Sequence, residues 1–324
     1  MKFKPDNFVL AIIAVILLAW LFPQWGSKTS PVPLDTIGSI GISFIFFFYG
    51  LKLSPEKLKA GLKNWKLHLL VQLSTFVLFP FIILLFYPLA NTPNAQIVWL
   101  SFFFLAALPS TVSSSVVMVA MAKGNLPAAI FNASISGLIG IAITPLWMGL
   151  FLTAETAGFD LGSIYLKLLT EILIPVLAGL ALQKYIGRFA MHYQKQLSTF
   201  DKSVILLIIY KSFAESFEQH VFSNVKLITL LLITVAVVML FYFVYFLIGL
   251  ICGKLNFNRE DTITAQFCGT KKSLVHGTVF SKILFPAGFP MGIVLLPLML
   301  FHALQIFFIS IIATKLAKQQ HLNS

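Results

Sequence analysis

Ten long apolar runs, several of them more than 20 residues with hardly a charge, constrain this chain more than any other feature. They are Phe8–Phe22, Ile37–Leu53, Leu67–Leu89, Ile97–Ala122, Leu126–Leu152, Ile164–Leu182, Val204–Phe217, Val225–Ile251, Ile263–Phe285 and Gly292–Leu316. An α-helix needs roughly 20 apolar residues to cross a bilayer. Inside lipid every backbone N–H and C=O must be paired within the protein, which leaves helices or a closed barrel. A barrel alternates apolar and polar residues in segments of about ten, whereas these runs are continuous. Composition agrees: 58% of the 324 residues are apolar and 10% charged, against about 25% charge in soluble domains. The expected fold is therefore all-α and integral to the membrane, with ten transmembrane helices in a single membrane domain over residues 1–324. The start, MKFKPDNFVLAIIAVILLAWLF, has the basic-then-apolar layout of a signal peptide. No small-residue cleavage site follows it, so a retained first helix is expected. The two cysteines, Cys252 and Cys268, lie in apolar stretches with no metal-ligand spacing, and no disulfide framework is expected.

Lysine and arginine in the connecting loops orient such a chain. With the N-terminus in the cytoplasm, sixteen of the 23 basic residues fall on the cytoplasmic side, many in the stretch from Lys52 to Lys66. Five fall opposite: Lys28, Lys167, Lys211, Lys226 and Lys282. Lys271 and Lys272 fall inside a span. The bias predicts both termini in the cytoplasm of a multi-pass cell-membrane protein (the inner membrane in a bacterium). It also explains the net charge of +12 as a topology signal and headgroup contact rather than nucleic-acid binding.

The halves resemble each other weakly. PSTVSSSVVMVAMAK in the fourth run and CGTKKSLVHGTVFSK in the ninth align at an offset of 159, with Lys123 on Lys282. Five spans per half force opposite orientations, giving two inverted five-helix repeats over about 1–153 and 163–317, a common plan of secondary transporters.

The polar interruptions carry the chemistry. At Leu108–Ser115 a proline disfavours continuous helix, and five hydroxyls in six residues (Ser110, Thr111, Ser113, Ser114, Ser115) are available to freed backbone groups or a cation. At Cys268–Ser273 the run breaks through Gly269, Thr270, Lys271, Lys272 and Ser273. A charge inside a span costs roughly 2.5–3.5 kcal/mol and marks a functional site by default; the bland alternative is lysines snorkelling from a helix end. Asn132, Ser134, Ser136, Gln72, Ser74 and Thr75 are weaker candidates, since interhelical hydrogen bonds or close packing account for any one of them. Lys211 and Glu215, and likewise Lys167 and Glu171, read as pairs at helical spacing. His276 reads as a hydrogen-bonded helix-face histidine. The motifs of proteases, hydrolases, nucleotide-binding loops and dinucleotide folds are absent from the sequence, so no enzyme activity is expected.

The pieces YGLKLSPEKLKAGLKNWKLHLLVQLSTFVLFP, LPSTVSSSVVMVAMAKGNLPAAIFNASISGLIGIAITPL and AQFCGTKKSLVHGTVFSKILF resemble the bile acid:sodium symporter family. The likeness is strongest to the bacterial and eukaryotic branch related to sodium/bile acid cotransporter 7. The resemblance implies ten helices in two inverted repeats, with helices four and nine unwound and crossing beside the ion and solute sites. The family's Ser-Asn pair after the first break falls on Ser114 and Ser115. Anchoring on Gly269, its glutamate falls on Phe267 and its glutamine on Lys271; its helix-three glutamine falls near Thr75, one turn from Gln72. An ammonium thus stands where the family holds sodium ligands.

The leading expectation is an alternating-access carrier of a small organic anion. Lys271 or Lys272 supplies positive charge in place of sodium, or exchanges a proton to couple transport. Sodium-coupled symport of bile-acid-like solutes, with sodium at Ser114, Ser115 and Asn132, is the second expectation. A non-transporting membrane regulator that keeps the fold is the third. No tightly bound cofactor and no nucleic-acid partner is expected; solute identity and oligomeric state are left open.

Overall fold

The structure, a computed structural model, describes residues 7–26, 30, 32–53, 64–111, 113–152, 161–218, 220, 227–286 and 288–322. Lys2, Lys4, Lys28, Lys57, Lys59, Lys63 and Lys226, counted above for orientation, lie outside the described residues, as does most of the lysine-rich loop.

Among the described residues every regular element is helical. In chain order they are α1 (Asn7–Leu21), α2 (Leu34–Lys52), α3 (Trp65–Leu89), α4 (Pro93–Ala107), α5 (Ser113–Met121) and α6 (Leu126–Leu152). Then follow α7 (Gly162–His192), α8 (Gln194–Glu218), α9 (Leu227–Lys254), α10 (Arg259–Gly269), α11 (Leu274–Leu284) and α12 (Met291–Leu322). Six of them, α2, α3, α6, α7, α9 and α12, are long and apolar enough to cross a membrane; α1 and α4 are shorter apolar helices. The fourth and ninth apolar runs are each split into two helices at the interruptions noted above. The seventh, short as an apolar run, belongs to a 25-residue helix whose first turns are polar. Starts and stops follow local chemistry. Thr92 caps α4 ahead of Pro93, its Oγ1 accepting from Ala95 N. Asn258 caps α10, its Oδ1 accepting from Asp261 N at 2.7 Å, with Glu260 and Asp261 in the first turn, where acidic groups suit the positive helix end.

The chain forms two compact units, and each draws on both halves of the sequence. The first holds residues 1–54, 152–225 and 278–295. Its tightest junction is the crossing of α2 and α7. A methyl group at Gly50 would collide with the Val176 carbonyl, and one at Gly179 with the Phe47 carbonyl. Only glycine lets two backbones come this close, the small-residue device of membrane helix pairs. α1 lies along α8, where Tyr210 donates to the Phe22 carbonyl at 2.6 Å. Lys52 and Asp201 pair at 3.4 Å. Asp35 meets Lys211 at 2.9 Å, and Lys211 also meets Glu215 at 2.9 Å, the helical pair expected from spacing.

The second unit holds residues 55–151, 226–277 and 296–324. Its core is aromatic, with Phe79, Phe103, Phe104, Phe241, Phe267 and Phe301 all fully buried. The outward face of α9 presents Leu231, Leu232, Val235, Met239, Phe243, Phe246 and Leu250, the apolar surface that lipid solvates. At one end of this unit the Asp261 carboxylate accepts from Asn64 Nδ2 and Asn125 Nδ2, each at 2.7 Å.

Candidate functional site

The site begins where α4 stops. Leu108 turns extended (φ −74°, ψ 151°), as a residue before proline must. A helix end leaves carbonyls without partners, and burying them unpaired is costly. Here four carbonyls around the break are claimed. Ala106 and Leu108 O accept from Lys272 Nζ at 2.6 and 2.9 Å, Ala107 O from Thr144 Oγ1 at 2.7 Å, and Pro109 O from Ser273 N at 2.9 Å. The break in α4–α5 is thus satisfied largely by the break in α10–α11.

The two breaks are joined elsewhere too. Ser110 Oγ donates to Cys268 O at 2.6 Å, while Ser110 N donates to Ser136 Oγ at 3.0 Å. Gln305, buried on α12, brackets Lys272: its Oε1 accepts from Lys272 N and its Nε2 donates to Lys272 O, both at 2.9 Å. Ser273 Oγ accepts from His276 N at 3.3 Å and stands 2.9 Å from His276 Nδ1, opening α11 as a capping serine does.

Lys272 Nζ has a third carbonyl, Thr75 O at 2.7 Å, and lies 4.2 Å from the centroid of the Phe79 ring. Thr75 O is available because α3 widens into a π-helical turn over Ser74–Leu78; such turns often sit at functional sites. Three carbonyl acceptors call for three N–H donors, the number an ammonium has and a neutral amine lacks. An aromatic face adds cation–π attraction. Lys272 is fully buried, and its surroundings form a carbonyl cage of the shape an ammonium fits. Lys271, also fully buried, is held differently: its Nζ donates to Ser114 O at 2.8 Å and reaches Ser114 Oγ at 3.4 Å. Thr111 Oγ1 bonds Ser114 Oγ and Ser115 Oγ, each at 2.8 Å, so the start of α5 is a hydroxyl cluster with a lysine on its edge.

The other sequence-derived candidates fall as follows. Ser113 opens α5, and its side chain lies outside the described residues. Thr270 Oγ1 bonds back to Gln266 O, Thr75 Oγ1 to Val71 O and Ser134 Oγ to Ile130 O, each within its own helix. Asn132 is fully buried and pairs with Gln72, whose Nε2 donates to Asn132 Oδ1 at 3.2 Å. Gln72 Oε1 is buried and has no hydrogen-bond partner among the described residues. Gly269 packs tightly on α9, since a methyl there would stand 2.9 Å from Ile248 Cδ1, and lies in ordinary contact with Ser74 on α3. Gln305 and Thr144 were missed. The signal for Gln305 was present, a glutamine one turn after His302 in an otherwise apolar run.

The break is wedged by Pro109, whose ring packs on Gly140: a methyl at 140 would stand 2.8, 2.9 and 3.1 Å from three ring carbons. A proline ring cannot rotate away, and overpacking typically costs about 1–3 kcal/mol. Gly140→Ala should therefore lower the unfolding temperature in detergent by several degrees, whereas Gly253→Ala, with nothing within 4 Å, should not.

Residues 6–318 match the SBF-like CPA transporter family. The chain is 38% identical over 320 residues to PA2026 of Pseudomonas aeruginosa, covering 98% of this chain and 95% of that one. It is 36% identical over 315 residues to YfeH of Escherichia coli K12, whose name proposes a symporter, covering 97% and 93%. It is 33% identical over 311 residues to sodium/bile acid cotransporter 7-A of Xenopus laevis, covering 94% and 90%. These relatives bear out the resemblance read from the two breaks. The chain belongs to the SBF-like CPA transporter family and is a multi-pass membrane transporter rather than an enzyme.

Proposed function

We propose that this transporter is an alternating-access carrier of a small organic anion, with ten spans in two inverted repeats and its solute path at the crossing of the two breaks. The observation that carries the reading is the cage of three carbonyls around Lys272 Nζ. A cavity of carbonyl oxygens is how a protein receives an alkali cation; here a tethered ammonium fills it. Lys272 then acts as a resident cation and uptake needs no sodium. Lys271, with two contacts to one serine, has capacity left for a carboxylate or sulfonate.

The ten-span reading draws support from which loops meet. Asn64, Asn125 and Asp261, joined in the second unit, belong to loops that ten spans put on the cytoplasmic side. Asp35, Lys211 and Lys282, joined in the first, belong to the opposite side. Fusions of a cytoplasmic fluorescent reporter to both ends should both be bright; one dark end would remove the even span count.

A second reading, sodium-coupled symport, is favoured by the name of the Xenopus relative and by the unpartnered Gln72 Oε1 beside Asn132. Uptake of taurocholate and of a panel of short-chain carboxylates into proteoliposomes decides between them. The first reading expects equal initial rates in sodium and in N-methylglucamine. Uptake that appears only with an inward sodium gradient establishes the second.

A further inference from the structure

The first unit holds a partly open cavity of about 450 Å³ whose lining includes no residue of the two breaks. This volume lies in the ordinary range for small-molecule sites. Its wall includes three lysines, Lys167, Lys211 and Lys282, and two carboxylates, Asp35 and Glu215. Glu171 is within electrostatic reach of Lys282 but stands outside the wall. Lysine is disfavoured on the side opposite the cytoplasm. Yet three of the five lysines that the ten-span reading assigns there converge on this one space. Something other than topology has to account for them.

The geometry is that of an ion-pair cluster with one loose member. Lys282 Nζ is seated on α2 over Gly38, where a methyl group would stand 3.0 Å from it, and it donates to Asp35 O at 2.6 Å and to Ser39 Oγ at 3.0 Å. Its remaining proton finds nothing closer, among the described residues, than Asp35 Oδ1 at 3.9 Å. Lys211 Nζ is clamped between Asp35 Oδ1 and Glu215 Oε1. The two lysines and Glu215 are four-fifths buried, but the Asp35 side chain is 65% exposed. An exposed carboxylate is held weakly, so Asp35 is the partner an incoming anion can replace. The rest of the wall includes Ile208, Phe285 and Phe289, an apolar surface beside the ammonium groups.

We propose that this cavity is an anion-receiving site for an organic carboxylate or sulfonate with an apolar body. The acid group displaces Asp35 from Lys211 and Lys282, and the body lies against Ile208, Phe285 and Phe289. The proposal rests on the carrier reading for its purpose, a first stop for solute outside the crossover, but its test needs no transport.

The native cysteines, Cys252 and Cys268, are both buried, so a cysteine placed at the cavity wall by Ser212→Cys is readable alone. The purified variant is labelled with an anionic sulfonatoethyl and a cationic trimethylammonioethyl methanethiosulfonate, with and without benzenesulfonate. The anionic reagent should react about tenfold faster, as charge-focused clefts enrich counter-ions. Benzenesulfonate should slow both. Adding Lys282→Met should bring the ratio towards one, and adding Asp35→Asn should raise it and lower the benzenesulfonate concentration that protects. Ser163→Cys, also on the wall and exposed, serves if Ser212→Cys does not fold. Equal rates, a cationic preference, or a ratio unmoved by Lys282→Met would overturn the charge assignment. Bias without protection by benzenesulfonate would leave a field and no site, which also overturns the proposal. Failure of the carrier reading would show in the uptake assay alone and leave the labelling ratio standing.

Discussion

Lys272→Ala should cost this transporter more stability than any other single change considered, about 3–5 kcal/mol. The side chain is the sole side-chain donor to Thr75 O, Ala106 O and Leu108 O among the described residues, and truncation leaves three buried acceptors and the Phe79 face with no cation. Each buried unpaired carbonyl costs about 1–3 kcal/mol, less what relaxation and water recover. The unfolding temperature in detergent should fall by about 10 °C or more, at roughly 2–4 °C per kcal/mol for a chain of this order of size. The vacated cage is also a cation site, so sodium or potassium at a few hundred millimolar should restore part of the loss, and the wild type should show no such salt effect. Stabilisation that follows ionic strength regardless of cation, tetramethylammonium included, would argue against a cage. Lys272→Met, which keeps the packing, should sit between wild type and alanine.

Lys271→Met should leave the fold close to intact and remove transport. Its ammonium bonds only Ser114 among the described residues, so the structural loss is one charge-assisted hydrogen bond. If the same ammonium holds the solute's acid group, the fall in uptake should be roughly 10- to 150-fold, the equivalent of about 1.5–3 kcal/mol. Uptake into proteoliposomes under separately imposed sodium and proton gradients tests this. Wild-type transport driven by the proton gradient alone, with exchange but no gradient drive in Lys271→Gln, would identify Lys271 as the proton carrier. Sodium-driven uptake unchanged in both Lys271→Met and Lys272→Met would remove the lysines from the mechanism.

The two breaks that make up the candidate site were legible because charge in an apolar run is rare enough to be seen without an alignment. The breaks at Leu108–Ser115 and Cys268–Ser273 stand out, and the structure joins them through Ser110 and Cys268. The division of labour between the lysines was not legible. It depends on which backbone carbonyls each ammonium reaches, and carbonyls carry no residue signature. Thr75 was a weaker candidate, accounted for by an interhelical hydrogen bond; what it contributes is its carbonyl, freed by a π turn that a 3.6-residue period does not foresee. Ser134 was preferred to Ser136 as a site residue, yet two residues are about 200° apart on a helix, and it is Ser136 that bonds Ser110 while Ser134 Oγ bonds back to Ile130 O. The tenfold count of spans rests on runs such as Val204–Phe217, whose helix is longer than its apolar part. The cavity between α2, α8 and α11 was invisible because its lysines and carboxylates lie up to 247 residues apart.

The crossing of α2 and α7 limits how the first unit can move. With the Val176 carbonyl against Gly50 and the Phe47 carbonyl against Gly179, a shift of either helix by one residue, about 1.5 Å along its axis, drives a side chain into a main chain. Sliding is blocked in both directions, and the pair behaves mechanically as a single welded beam. Of the two usual ways packed helices rearrange, shear and hinge, only the second is open to it. Any displacement of this unit during a transport cycle must therefore carry α2 and α7 together as one body, and a disulfide or short crosslinker bridging them should leave turnover unimpaired.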